Sequence, residues 1–151
     1  MKLNKIFRKA FFITLFWKQN KWHRHSVLGH TFKVVYHILK NREYQMISAG
    51  FLHDIGKPIV AFQDEGDRLT GEYSFTNHEE ISYHLIKRVP FISQYTKLLV
   101  RYHYLIRGME VAKRKGREAK YKRMKRIYDG LDEAFIKDLE KFIVFDDLGK
   151  V

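Results

Sequence analysis

The run Phe51-Leu52-His53-Asp54-Ile55-Gly56-Lys57-Pro58 sets a histidine beside an aspartate at the end of an apolar segment, just ahead of a glycine and a proline. An imidazole and a carboxylate that both face a core lose their water, and a divalent cation satisfies the two together. Met46, Ile47, Gly50 and Leu52 form the row leading into the pair. A helix is therefore predicted from near Glu43 through Asp54, ending before Gly56 and Pro58.

Upstream, Val27, His30, Val34 and Ile38 recur at helical spacing and predict a helix over 26–40 with His30 turned inward. Residues 59–75 are polar and glycine-containing, which predicts a loop with a small hairpin. Thr76 and Glu79 have the spacing of a capping box, opening a helix that carries His78, Ile81, Ser82 and Leu85 until Pro90 stops it. A helix over 91–107 stacks Tyr95, Leu99, His103 and Ile106 and stops at Gly108. After a basic stretch at 113–126 and Gly130, a last helix rows Phe135, Leu139, Phe142 and Asp146. No strand-rich region intervenes. The expectation is an all-α fold of about six or seven helices around a central metal site.

The chain has 151 residues, the size of one domain, and no linker-like stretch divides it, so residues 1–151 are read as a single domain with its core at 26–149. Leu3, Ile6, Phe7, Ala10 and Phe11 predict an amphipathic helix within 1–22, docked on that core. The apolar run at 10–17 is too short to span a bilayer and no cleavage-like site follows, which argues against a signal peptide and stable membrane insertion. Without cysteine, metal must be held by imidazole and carboxylate, and a cytoplasmic location fits. The net charge of +12 is uneven: residues 1–54 carry ten Lys/Arg against two acids, and 101–126 carry eleven against two. That asymmetry points to a polyanionic partner, nucleotide or nucleic acid ahead of a membrane surface.

The run at 51–58 resembles the defining motif of the HD superfamily of metal-dependent phosphohydrolases. His30 matches that family's upstream histidine, and Asp146, in Phe145-Asp146-Asp147-Leu148-Gly149-Lys150, its downstream aspartate. His78 and His103 resemble the two extra histidines of members that hold two metals, and the texture is closest to the HD domain attached to bacterial CCA-adding enzymes. The Gly-Tyr-Pro signature of cyclic-di-GMP phosphodiesterases is absent. The resemblance implies an all-helical fold and divalent-metal phosphoester hydrolysis, in a superfamily whose members share no one substrate; the basic surface makes a phosphomonoester or phosphodiester of a nucleotide or nucleic-acid end the leading substrate.

For two metals, Asp54 is the natural bridge, with His30, His53 and Asp146 completing one ion and His78 and His103 the other; alternatively, His78 and His103 contact phosphate directly. Manganese, iron, nickel, cobalt, zinc and magnesium all suit such donors. Lys57 is placed to meet a phosphate oxygen, or else is an exposed helix-end lysine. Lys113, Arg114, Lys115 and Arg117 are candidates for holding substrate. Asp147 is the rival of Asp146. His23, His25, His37 and His84 are read as surface or structural. The competing functions are a nucleic-acid-binding module with a structural metal site, and a peripheral membrane protein.

Overall fold

The computed structural model describes residues 26–71 and 73–150. The helix expected within residues 1–22, with His23 and His25, lies outside them.

Helix α1, Val27–Lys40, begins where the Ser26 hydroxyl accepts the Gly29 N–H at 3.2 Å, and it buries the row Val27, His30, Val34 and Ile38. A short 3₁₀ turn, Tyr44–Met46, leads into α2, Ile47–Leu52, which crosses α1 at Gly50. A Cβ at Gly50 would stand 2.9 Å from Ile38 Cδ1 and 3.0 Å from Val35 Cγ2, so glycine lets the two backbones approach. The helix expected from Glu43 through Asp54 is thus shorter: His53 caps it, and Asp54 lies in the turn that follows.

Pro58 does not end a helix. It sits in the first turn of α3, Lys57–Val60, where a missing N–H costs nothing. The expected loop at 59–75 also holds α4, Glu65–Thr70, opened by a reciprocal capping box between Asp64 and Asp67 and closed by left-handed Gly71. The hairpin reduces to one antiparallel bridge between Phe62 and Ser74.

Helix α5, His78–Ile86, starts after Asn77, whose backbone is left-handed (φ 62°) and whose side chain caps nothing. The Thr76/Glu79 box does not form, because the helix starts one residue too late: Glu79 falls at the second helical position instead of the third. Helix α6, Gln94–Tyr102, is capped by Ser93. The break expected at Gly108 falls instead at His103 and Tyr104, and Gly108 lies inside α7, Leu105–Arg114, where the end of Met124 fills the space a Cβ would need. The basic stretch is therefore the end of α7, a left-handed turn at Gly116, and most of α8, Glu118–Asp129. Helix α9, Glu133–Leu148, starts at Asp132, whose carboxylate accepts the Ala134 and Phe135 N–H groups.

The result is all-helical. Nine α-helices occur among the described residues, seven when the short α3 and α4 are set aside. Helix α1 packs on α2 and α9, α2 on α6, α5 on α3 and α6, and α7 on α8. The core between them includes Ile38, Met46, Ile86, Leu99, Leu139 and Phe142, all fully buried. Each contributes about 1.5–3 kcal/mol of transfer free energy. No helix among the described residues is long and apolar enough to cross a membrane.

Candidate metal centre

Six side chains from five places in the fold meet at one point. His30 comes from the middle of α1, His53 and Asp54 from the end of α2, His78 from the first turn of α5, His103 from the break after α6, and Asp146 from the last turn of α9. His30, His53, Asp54 and His103 are buried in a core that would otherwise take aliphatic residues.

Three of the histidines are locked by the same device. His53 Nδ1 lies 2.8 Å from the Gly50 carbonyl, His78 Nδ1 2.9 Å from Phe75, and His103 Nδ1 2.7 Å from Val100, each three residues upstream. A carbonyl only accepts, so Nδ1 carries the hydrogen, and in the neutral ring Nε2 presents its lone pair. These lone pairs converge. His30 Nε2 is 3.3 Å from His53 Nε2 and 3.0 Å from Asp146 Oδ1; His53 Nε2 is 3.6 Å from Asp146 Oδ1 and 3.3 Å from Asp54 Oδ2; His78 Nε2 is 3.1 Å from His103 Nε2 and 3.4 Å from Asp54 Oδ1. Donors bound to one ion at about 2.0–2.1 Å stand roughly 3.0–3.4 Å apart, so these spacings match the edges of a coordination polyhedron.

Two overlapping groups of atoms able to hold a metal ion result: His30, His53 and Asp54, and then Asp54, His78 and His103. Asp146 joins the first through its contacts to His30 and His53. Asp54 belongs to both, with Oδ2 towards His30 and His53 and Oδ1 towards His78. The chemistry of this donor set, imidazole and carboxylate without sulfur, fits divalent metal.

The electrostatics reflect the crowding. Burial opposes a charge on His53, but the Asp54 and Asp146 carboxylates outweigh it and raise that imidazole to about 9. Burial pushes His103 down to about 3, helped by His78 and His53, and it also lowers His78. Asp54 and Asp146 would be raised by burial, yet His53 and Lys57 hold the first, and His30 and His53 the second, well below the usual carboxylate range.

Above the cluster opens a cavity of about 580 Å³. Lys57 lines it but is buried, its Nζ 2.7 Å from Asp54 Oδ2, which removes the reading of an exposed helix-end lysine. Arg114 and Lys115 line the wall; Lys113 and Arg117 do not, because only one side of the α7 end faces inward. Asp147 stays out of the cluster and binds Arg107 and Lys150. His37 packs its ring against Tyr36, and His84 pairs with Glu80, both away from the site. Four wall residues are not among the candidates given by the sequence: Tyr104, Arg107, Val111 and Lys150. Lys150 could have been found from its i+4 spacing to Asp146, and Arg107 from the same spacing to His103.

The family model for the HD domain matches residues 27–134. The match includes His30, His53, Asp54, His78 and His103 and stops short of Asp146, whose place rests on geometry alone. HD domains bind divalent metals and are typically metal-dependent phosphohydrolases. Among curated proteins none matches the chain.

Proposed function

The chain belongs to the HD-domain family, and we propose that it hydrolyses a phosphomonoester or phosphodiester of a nucleotide or nucleic-acid end with two divalent ions. The observation that carries this reading is the position of Asp54, one carboxylate whose two oxygens face two different sets of histidines. His30, His53, Asp54 and Asp146 would hold one ion, and Asp54, His78 and His103 the other. When bound, such ions lend Lewis acidity to a phosphoryl group and acidify water.

The rest is supplied by the chain. Carbonyls of Gly50, Phe75 and Val100 fix the imidazoles before any ligand arrives, so little reorganisation is needed. Lys57 steadies Asp54 from the cavity side. Arg107, Arg114, Lys115 and Lys150 give the mouth a positive wall suited to phosphate oxygens. The reading is tested with protein purified without chelator. Its metal content is measured, and a panel of nucleotides, 2′,3′-cyclic nucleotides and short oligonucleotides is assayed. Chelator-sensitive release of phosphate or of an alcohol is expected. Two bound equivalents with no turnover of any phosphoester would leave a structural metal site in a binding module.

A further inference from the structure

Asp147 has no role in the cluster, yet it is heavily engaged. Arg107 Nη2 donates to both its oxygens, at 2.7 and 2.6 Å, and Lys150 Nζ stands 2.7 Å from Oδ1 and, on its other side, 3.1 Å from Asp146 Oδ2. All three line the cavity over the metal cluster. The exposures are unequal: the Asp147 side chain is 50% accessible, against 28% for Arg107 and 18% for Lys150. The cations belong to the wall, and the carboxylate rests on them from the solvent side.

We infer that Arg107 and Lys150 form a seat for a second phosphate of the substrate, occupied by the Asp147 carboxylate when substrate is absent. This rests on the phosphohydrolase reading above and narrows it to small substrates carrying more than one phosphate. Three observations support it. First, the cavity wall holds more cations than the reacting phosphate needs: Arg114 and Lys115 also line it and have no carboxylate within ion-pair distance among the described residues. Second, the Asp147 side chain is half exposed, so on displacement its carboxylate returns to water and regains its hydration. A phosphate offers more charge and more acceptor oxygens to the same guanidinium. Third, the basic side chains that would continue a track for a long polynucleotide, Lys113 and Arg117, lie off the wall. The positive charge is thus concentrated at one spot beside the metals.

The test measures binding to protein reconstituted with manganese, titrating thiophosphate analogues of adenosine monophosphate and adenosine diphosphate, chosen to resist hydrolysis, by calorimetry. Wild type should bind the diphosphate at least about tenfold more tightly, one good ion pair's worth. Arg107→Gln should shrink that ratio, and Asp147→Asn should enlarge it by removing the competing anion. A merely structural ion pair treats its two ends alike, so a ratio that moves in the same direction in both variants, or in neither, overturns the second seat. Wild type carries the test by itself if a variant misfolds: a ratio near one there also overturns it. Hydrolysis of monophosphates with no such preference would sink this seat and leave the phosphohydrolase reading standing. Failure to bind or turn over any phosphate compound would sink both.

Discussion

His78 Nε2 and His103 Nε2 stand 3.1 Å apart, and each ring has its Nδ1 tied to a backbone carbonyl three residues upstream. Two neutral rings fixed this way present two lone pairs to each other, an arrangement a shared cation relieves. His103→Ala should therefore drop bound metal from two equivalents to one, with the ion at His30, His53 and Asp146 retained. Asp54→Ala should lose both and lower kcat/KM by at least about a thousandfold, since it faces each set. Elemental analysis after gel filtration decides it: one tightly held equivalent in the wild type, unchanged in His103→Ala, removes the second ion.

Metal affinity should depend on pH in a defined direction. His53 without metal is held up to about 9 by its carboxylates, so a ligand ion must displace a proton from it at neutral pH. Apparent affinity should rise about tenfold per pH unit from 7 towards 9 and then level off. In the metal-free protein the sign is opposite. The stability His53 contributes is fully present below its ordinary value of 6.5 and is lost as pH rises through about 9. Competition titrations with a metal-binding dye and melts of chelator-treated protein check the two halves separately. A flat affinity profile between pH 7 and 9 contradicts the argument.

Gly56 sits where α5 crosses the turn after Asp54. A Cβ there would come within 2.6 Å of the His78 carbonyl and 2.7 Å of the Ser82 nitrogen, both backbone, so the helix must move. Gly56→Ala should destabilise by about 1–3 kcal/mol and loosen the second ion by moving His78. Gly108→Ala meets the flexible end of Met124 and, at 3.3 Å, the edge of the Tyr104 ring, but no backbone, and should cost less. Chemical denaturation of the two variants side by side tests the ordering, and equal losses would refute it.

The basic stretch divides by geometry. Arg114→Ser and Lys115→Ser should raise KM for a nucleotide several-fold, because both line the cavity, whereas Lys113→Ser and Arg117→Ser should leave it within about twofold. Steady-state kinetics at low and moderate salt would show it. Four equal effects would mean that the whole stretch acts through its summed charge.

Much of this was legible in the sequence because helical periodicity carries both core and ligands. The rows through His30, His78, His103 and Asp146 were each largely apolar apart from the metal-capable residue, with Ser82 in the His78 row and Tyr95 in the His103 row, and the structure turns all four inward. What the pattern hid were local decisions made by tertiary contact. Gly108 reads as a stop, but α7 uses it to approach Met124. Thr76 and Glu79 have capping-box spacing, but Asn77 takes the left-handed turn that starts α5 later. The polar run at 59–75 hid α4 because that helix buries nothing and so has no apolar row. Arg107 and Lys150 offered only their i+4 spacings to His103 and Asp146, because a cation's role on a cavity wall depends on which helix lies opposite.

The sequence separation of 116 between His30 and Asp146 has a consequence for assembly. Asp54, His78 and His103 come from neighbouring segments in the middle of the chain, so their half of the centre can gather early. The other half waits for α9 to dock on α1, a contact of long sequence separation that forms slowly. An ion captured there would clasp the first and last described helices together, making competence for chemistry a report that the fold has closed.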